Sequence, residues 1–173
     1  MLAAHRVICE RAALFDTFMI HGSAVSADQR GYIFTAVSGT GKSTHTRLWL
    51  KLLGQDAFMV DDDKPMIHVS EDGAASVNGT PWNGKNHVGG PFSVPLKAIC
   101  LLERSEKNWI RPISLFHAMP KLMQQIYRPT DPAAMKQMMA CIGRMKVDIY
   151  QMGCNMDIEA ARMAYEFMKP KAN

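Results

Sequence analysis

Apolar and polar residues follow strand-like spacing in the front half of the chain and helical spacing in the back half. Short apolar runs between turn residues predict strands, and apolar positions that recur every three to four residues predict helices. The predicted strands are residues 18–25, 32–37, 57–60, 65–70, 74–78, 96–103 and 147–153. The predicted helices are residues 2–13, 43–53, 114–126, 132–146 and 157–168. This order predicts an α/β fold with a central mixed sheet flanked by helices.

Turn and capping signals mark the boundaries of these elements. Residues 26–31 and 71–73 have the composition of hairpin turns, and Gly54 is a suitable end for the helix before it. Asp131 is a suitable N-cap for the helix that begins at residue 132. Four glycines and two prolines between residues 79 and 91 predict a mobile surface loop.

Length and composition exclude several classes of function. A chain of 173 residues is expected to form one domain that buries about 70% of the surface of its unfolded form. The net charge of +4 is modest and its basic residues form no stripe, so we expect no nucleic-acid partner. Charge interrupts every apolar run well before membrane-spanning length, and four cysteines without Cys-x-x-Cys spacing indicate reduced thiols. The sequence therefore predicts a soluble cytoplasmic protein without a membrane partner.

Residues 36–44 read Ala-Val-Ser-Gly-Thr-Gly-Lys-Ser-Thr and join a predicted strand to a predicted helix. A glycine-rich turn in this position directs backbone N–H groups and the positive helix end at one point, which favours a polyphosphate. The usual pattern begins with glycine where this chain has Ala36, but Gly39 and Gly41 make the tight turn. Lys42 is expected to reach the β and γ phosphates and the Ser43 hydroxyl to bind Mg²⁺. The predicted nucleotide-binding residues are Ser38, Gly39, Thr40, Gly41, Lys42, Ser43 and Thr44.

Three consecutive aspartates, Asp61, Asp62 and Asp63, follow the predicted strand 57–60. Phosphoryl transfer needs a γ-phosphate held in line, Mg²⁺ on the phosphate oxygens, and a carboxylate near the acceptor hydroxyl. Adjacent carboxylates repel one another, so they are useful where one binds a metal and a neighbour acts as a base. A solvated acidic turn is the alternative interpretation of the same residues.

Three segments of the chain together resemble the catalytic domain of HPr kinase/phosphorylase, whose relatives include the phosphoenolpyruvate carboxykinases. They are the loop at residues 38–43, the Val-Asp-Asp-Asp-Lys segment at residues 60–64, and the pair His21-Gly22. In those kinases a histidine precedes the loop lysine by the interval that separates His21 from Lys42. The resemblance covers residues 21–64 and continues more weakly to residue 102.

The resemblance implies a P-loop-containing, HPr kinase/carboxykinase-like fold and an ATP- and Mg²⁺-dependent kinase. It assigns Asp62 as the base that deprotonates a seryl hydroxyl, with His21 close by to orient it or share its proton. It assigns Asp63 as the second metal carboxylate beside Ser43, and Lys42 as a catalytic cation. Without the resemblance, a lone histidine after an apolar run is more often a core or edge residue.

The chain also departs from the HPr kinases, because it lacks their glutamate-and-arginine signature and their separate N-terminal domain. It looks most like a group of HPr-kinase-related bacterial proteins with the strings Thr-His-Thr-Arg-Leu-Trp, Asp-Asp-Lys-Pro and Gly-Thr-Pro-Trp. Those proteins usually have more sequence ahead of the histidine. We therefore expect residues 1–173 to be a single, minimal or truncated nucleotide-binding kinase-like domain.

The expected activity is transfer of the γ-phosphate of ATP to a hydroxyl, with a serine of a protein or peptide as the favoured acceptor. Two alternatives stay open: a nucleotide-binding regulatory module without turnover, and an enzyme resembling phosphoenolpyruvate carboxykinase. The expected partners are a nucleotide and a protein or peptide substrate. Assembly into a homo-oligomer also stays open, because the HPr kinases are hexameric.

Several further residues have two interpretations or none. Arg47 either approaches the phosphates or pairs with an acidic neighbour, and Lys85 either closes over the γ-phosphate or is a solvated loop lysine. Trp82 is expected to hold its loop to the core rather than to stack on a ligand. The cations without an assigned role are Lys64, Arg104 and Arg128.

Overall fold

A computed structural model of the chain describes residues 2–84 and 88–170, and nine strands within these ranges form one mixed sheet. The strands are β1 (Thr17–Met19), β2 (Gly22–Ala27), β3 (Arg30–Thr35), β4 (Ala57–Asp61), β5 (Met66–Val69), β6 (Ala75–Asn78), β7 (Ser93–Arg104), β8 (Trp109–Pro112) and β9 (Asp148–Cys154). The helices are α1 (Leu2–Ala12), α2 (Lys42–Leu53), α3 (Leu115–Gln125), α4 (Pro132–Arg144) and α5 (Ile158–Met168). The predicted α/β class, with a mixed sheet flanked by helices, is confirmed.

The strand β7 is long enough to take part in two sections of the sheet. Its first residues pair with β6, in a section that continues through β5 to β1. Its remaining residues pair in parallel with β3 on one side and with β9 on the other. The strand β2 lies between β3 and β4 and is antiparallel to both. The sheet therefore curls around β7.

The sheet separates two hydrophobic clusters, and alternate residues of β3 enter different clusters because successive side chains point to opposite faces. Tyr32 and Phe34 pack with α2 and α5, where Trp49 contacts Tyr165 with ring centroids 5.5 Å apart. Ile33 belongs to the other cluster, which includes residues of α3 and α4. Helices thus cover both faces of the sheet.

The strand directions bring several chain segments to one edge of the sheet. The strands β3, β7 and β9 are parallel, and β4 runs in the same direction because both β3 and β4 are antiparallel to β2. Their carboxyl ends therefore lie on the same edge, together with the start of β2. Ligands of α/β sheets commonly bind beyond the carboxyl ends of the strands.

The predicted boundaries agree with the structure for the five helices to within two residues, and both predicted hairpins are present. Gly54 ends α2, and the Asp131 carboxylate accepts a hydrogen bond from the Ala134 N–H group at the start of α4. The single strand predicted at residues 18–25 is wrong, because the chain leaves one pairing at Ile20 and enters another at Gly22. The strand β8 was not predicted.

The segment at residues 79–91 is attached to the protein at both of its described ends. The Gly90 N–H group donates to the Val60 carbonyl, and Asp61 forms a bridge with Gly89. A Cβ atom on Gly89 would lie 2.6 Å from the Val60 carbonyl oxygen, so glycine allows this close approach. The rings of Trp82 and His5 of α1 meet edge to face with centroids 4.7 Å apart, so Trp82 holds its segment to α1 and not, as had been expected, to the core. Lys85 lies outside the described residues.

No helix of the described ranges combines the length and the apolar character that a bilayer crossing requires. All four cysteines lie within these ranges and have free thiols.

Candidate functional site

A glycine-rich loop, residues 36–41, connects the end of β3 to the first residue of α2. Gly39 and Gly41 have φ angles of +80° and +116°, which side-chain-bearing residues rarely adopt. The His45 N–H group donates to the Gly41 carbonyl, which begins the helix, and no side chain caps the helix start. The loop therefore presents the first N–H groups of α2 without a side-chain partner.

Lys42 is the first residue of α2, and its side chain is folded back into the loop. Its ammonium group donates a hydrogen bond to the Ala36 carbonyl at 3.1 Å. Burial lowers the pKa of Lys42 below its usual value, while the carboxylates of Asp63 and Asp62 act in the opposite direction. The Lys42 ammonium group is thus partly shielded from water and lies near two carboxylates.

The three consecutive aspartates have different surroundings, and Asp61 is fully buried. One oxygen of its carboxylate accepts hydrogen bonds from the N–H groups of Asp63 and Lys64. The other accepts from the N–H and hydroxyl groups of Thr80. Asp61 therefore holds the turn after β4 and joins it to the start of the segment at residues 79–91.

Asp62 is directed toward α2, with only 4% of its side chain exposed. The Ser23 hydroxyl donates to one carboxylate oxygen at 2.7 Å, and Ser23 also shares a hydrogen bond with Thr46 of α2. Arg47 approaches the other oxygen at 3.6 Å. Of the two interpretations of Arg47, pairing with an acidic neighbour is the one present in the structure.

Asp63 has surroundings different from those of Asp62, because 29% of its side chain is exposed and it lies beside His21 and Lys64. The distance from His21 Nε2 to an oxygen of Asp63 is 3.6 Å, and that from Lys64 Nζ to the other oxygen is 3.3 Å. Burial, followed by the charge of Lys42, lowers the pKa of His21, against the effect of Asp63. The His21 ring is therefore uncharged at neutral pH.

These side chains surround a cavity of about 320 Å³, which we call the cleft. All but one of the site residues predicted from the sequence line it. They are His21, Ser38, Gly39, Gly41, Lys42, Ser43, Thr44, Asp62 and Asp63. Thr40 is the exception, because it lines the cavities on the other side of the loop. His21 was expected beside Asp62, whereas its ring contacts Asp63.

A larger cavity of about 630 Å³, which we call the groove, lies on the other side of the glycine-rich loop. It is formed by the loop, the first two turns of α2, and the residues that follow β7 and β9. At its border the Arg104 guanidinium donates a hydrogen bond to the Gly39 carbonyl. Arg104, which had no assigned role, therefore ties the end of β7 to the loop.

Sequence reasoning missed the residues that support the site rather than line it. Ser23 and Thr80 have hydroxyl groups of the kind found throughout a sequence, and only the fold brings them to Asp62 and Asp61. The string Gly-Thr-Pro-Trp at residues 79–82 was a signal for Thr80, since it belongs to the resemblance noted above. Nothing in the sequence pointed to Ser23.

The donor set of the cleft suits a magnesium ion that arrives with a nucleotide. Among the residues that the structure describes, no group of three or more histidine, cysteine, aspartate or glutamate side chains could hold a metal by itself. Mg²⁺ at phosphate sites is usually held by one or two carboxylates and substrate oxygens. Ser43 and Asp63 both line the cleft and supply oxygen ligands of this kind.

Comparison with protein families and with curated proteins gives no match to this chain. Among solved structures, the HPr(Ser) kinase/phosphatase from Coxiella burnetii is similar in fold at 10% sequence identity, with a TM-score of 0.48. The alignment covers 88% of this chain and 99% of that chain. A likeness at this level carries no argument about chemistry, which rests on the geometry of the cleft.

Proposed function

We propose that this protein is an ATP- and Mg²⁺-dependent phosphotransferase that transfers the γ-phosphate to a hydroxyl, with a serine of a protein or peptide as the favoured acceptor. One observation carries the proposal: the glycine-rich loop, a buried lysine, two carboxylates and a histidine converge on one cleft. Phosphoryl transfer requires positioning and charge stabilisation more than covalent participation by the protein. We also infer that residues 1–173 act as a single nucleotide-binding kinase-like domain.

The loop and the start of α2 are suited to bind the β and γ phosphates. Backbone N–H groups at a helix start favour anions, and the two positive φ angles let the backbone approach a ligand closely. Lys42 would exchange the Ala36 carbonyl for phosphate oxygens, which are better partners for an ammonium group because they are charged. The contact of Lys42 with the Ala36 carbonyl would therefore be the one it makes before a nucleotide binds.

In the proposed reaction the acceptor oxygen forms a bond to the γ-phosphorus while the bond from that phosphorus to the β,γ-bridging oxygen breaks. ADP leaves, and the hydroxyl proton passes to a carboxylate of the cleft. We propose Asp62 as this carboxylate, because its hydrogen bond from Ser23 and its contact with Arg47 hold it in one orientation. Its contacts link it to the helix that binds the phosphates, so acceptor and phosphate would be aligned together.

Asp63 and Ser43 are the proposed magnesium ligands, and the ion would supply charge neutralisation at the phosphate oxygens. His21 then orients Asp63 rather than Asp62, because its ring lies beside that carboxylate. Carboxylates that bind metals are in turn usually held by neighbouring hydrogen-bonding side chains. The favoured serine acceptor rests on the sequence resemblance described above.

The test measures ATP binding by calorimetry and phosphoryl transfer to a library of serine-containing peptides. Lys42→Ala should weaken ATP binding about tenfold to a hundredfold, because an ammonium contact with phosphate contributes about 1.5–3 kcal/mol. Asp62→Asn should bind ATP normally and lower the transfer rate by about a hundredfold or more. Lys51→Ala, an exposed lysine of the same helix, is the matched control and should behave as wild type.

Three outcomes would revise the proposal in different ways. ATP binding without transfer to any acceptor would favour the nucleotide-binding regulatory module. Transfer to a carboxylic acid alone would favour the carboxykinase-like alternative. Unchanged ATP binding and transfer by Lys42→Ala would contradict the proposal altogether.

A further inference from the structure

His21 lies in the short link between β1 and β2, where the chain changes its strand partners. The Gly22 N–H group donates to the Asp63 carbonyl at 3.0 Å, so the backbone beside His21 is joined to the turn after β4. The Thr35 hydroxyl at the end of β3 donates to the His21 carbonyl at 2.8 Å. The backbone of His21 is therefore held against two of the segments that form the cleft.

The end of α3 runs along the other side of this link. The His21 N–H group donates to the carbonyl of Gln125, the last residue of α3, at 2.7 Å. The Tyr127 N–H group donates to the Met19 carbonyl at 3.0 Å. These two hydrogen bonds attach the end of a helix that is distant in sequence to the histidine of the cleft.

Gln125 also acts on the His21 ring through its side chain, which is half-buried. Burial is the largest influence on the pKa of His21 and lowers it, whereas a hydrogen bond with the Gln125 side chain acts to raise it. The ring Nε2 lies 3.6 Å from a carboxylate oxygen of Asp63. The ring therefore has an amide and a carboxylate as polar neighbours.

The contact with the amide matters because backbone hydrogen bonds do not fix the ring of a histidine. The χ1 torsion can occupy several staggered positions, and the χ2 torsion has a broad distribution. A glutamine amide has both donor and acceptor atoms, so it can pair with an imidazole nitrogen whether or not that nitrogen carries a proton. Side chains that hold the groups around a metal site often change metal affinity or activity when they are replaced.

We propose that Gln125 is a positioning residue, whose side chain holds the His21 ring in the orientation that faces Asp63. This inference rests on the proposed function and extends it to α3, a helix outside the lining of the cleft. Gln125 would act through His21, without contact with the nucleotide or the acceptor.

The first test replaces the amide and keeps the backbone carbonyl that accepts from His21. Gln125→Met has a side chain of similar length without polar hydrogen-bonding groups of this strength. It should lower the rate of phosphoryl transfer to the serine-peptide library about threefold to tenfold, and it should leave ATP binding by calorimetry unchanged. Gln124→Met is the matched control, because Gln124 is the exposed neighbour in the same turn of α3.

A double-mutant cycle separates positioning from a general effect on the fold. In the His21→Ala background, Gln125→Met should cause no further loss of transfer, because its effect passes through the ring that is already missing. A general effect would lower the rate by the same factor in both backgrounds. Gln125→Ala also removes the amide and should behave like Gln125→Met, so it serves as a second variant.

The second test needs neither nucleotide nor acceptor. Long-range proton–nitrogen NMR spectra of the full chain at neutral pH report which ring nitrogen of His21 carries the proton, and His21→Ala identifies its signals. Hydrogen bonds to the ring select one neutral tautomer. Wild type should therefore show one predominant tautomer, and Gln125→Met should show a mixture of both, whereas Gln124→Met should match wild type.

The outcomes separate this inference from the proposed function. Unchanged His21 signals in Gln125→Met, or an equal loss of transfer in both backgrounds, would overturn the positioning role and leave the proposed function standing. A wild-type protein that neither binds ATP nor transfers phosphate would overturn the proposed function. In that case the nitrogen signals still decide whether Gln125 holds the His21 ring.

Discussion

The two sides of the glycine-rich loop differ in electrostatic character although only a few residues of backbone separate them. On the cleft side, the Lys42 ammonium group lies near two carboxylates and a half-buried histidine. On the groove side, the loop faces Leu48, Met156 and the neutral ring of His45. One short loop thus separates a cavity with several charged side chains from one whose charged lining residues are the exposed Arg104 and Glu106.

The difference shows that two cavities on either side of one loop can offer different chemical surroundings. Stabilising charge that moves between oxygens requires fixed charges in a place with little water. Binding the rest of a substrate requires apolar contact that does not compete for those charges. Substitutions on the two sides of the loop should therefore have separable effects.

The turn that carries the cleft residue Asp63 is held by the buried carboxylate of Asp61. Of the substitutions considered, Asp61→Asn should therefore have the largest effect, and it should lower the free energy of unfolding. The NH₂ group of asparagine would face two N–H donors if it turned toward Asp63 and Lys64, and the N–H donor of Thr80 if it turned the other way. Leaving a buried donor unpaired costs about 1–3 kcal/mol, and the second orientation leaves one such donor, so we expect a loss of about 1–3 kcal/mol. Urea unfolding monitored by circular dichroism measures it.

Asp56→Asn is the control for this substitution, because Asp56 is exposed just before β4 and should change stability by less than about 0.5 kcal/mol. If Asp61→Asn were as stable as wild type, the carboxylate would not be the group that holds the turn after β4.

On the groove side, His45 should make the stability of the fold depend on pH. Burial lowers the pKa of His45 in the folded protein to about 4, below the value of 6.5 for an unperturbed histidine. The unfolded chain therefore binds more protons as the pH falls through this interval, and stability decreases toward acid. Between pH 7 and pH 4.5 the free energy of unfolding of wild type should fall by about 2–3 kcal/mol more than that of His45→Leu.

Urea unfolding at both pH values gives this difference, and comparison with His45→Leu removes the contribution of the other titrating groups. Parallel pH dependence of the two proteins would mean that His45 is not kept neutral, and the contrast between cleft and groove would lose its main electrostatic support.

Arg104 holds the glycine-rich loop that separates the cleft from the groove. Substitution of Arg104 should have the smallest effect of the changes considered, and the effect should be on ligand binding. Arg104→Ala removes the hydrogen bond to the Gly39 carbonyl and should weaken ATP and tripolyphosphate binding alike, about threefold to tenfold, because both use the loop. Arg162→Ala is the control, since Arg162 is an exposed arginine of α5 that pairs with exposed Glu159. Weakening of ATP binding alone would contradict the role of Arg104 in holding the loop.

Much of the site could be predicted because its residues are close together in sequence. The loop and the first turn of α2 form one continuous string, and Asp62 and Asp63 follow one strand. Local rules for strands, glycine turns and helix starts are sufficient for such segments. The resemblance added His21, which lies at the same edge as the loop because β2 is antiparallel to β3.

The rest depended on contacts between distant segments. The three aspartates are the same residue type, and only the fold separates Asp61, which does not line the cleft, from Asp62 and Asp63, which do. His21 was expected close to Asp62, and both line the cleft, but the carboxylate that its ring contacts is that of Asp63. The break of the predicted strand at Ile20 arises in the same way, from pairing with β5 on one side and β3 on the other.

The amino-acid sequence by itself determined the α/β class, the order of helices and strands, the conformation of the glycine-rich loop and the residue types of the cleft. These features depend on hydrophobic periodicity and on the backbone preferences of glycine, which act over a few residues. Only the tertiary structure decided which aspartates are buried, which one lies beside His21, and that a second, less charged cavity lies across the loop from the cleft. Those features depend on strand direction and register, because side chains far apart in the chain meet only where the sheet brings its strand ends together.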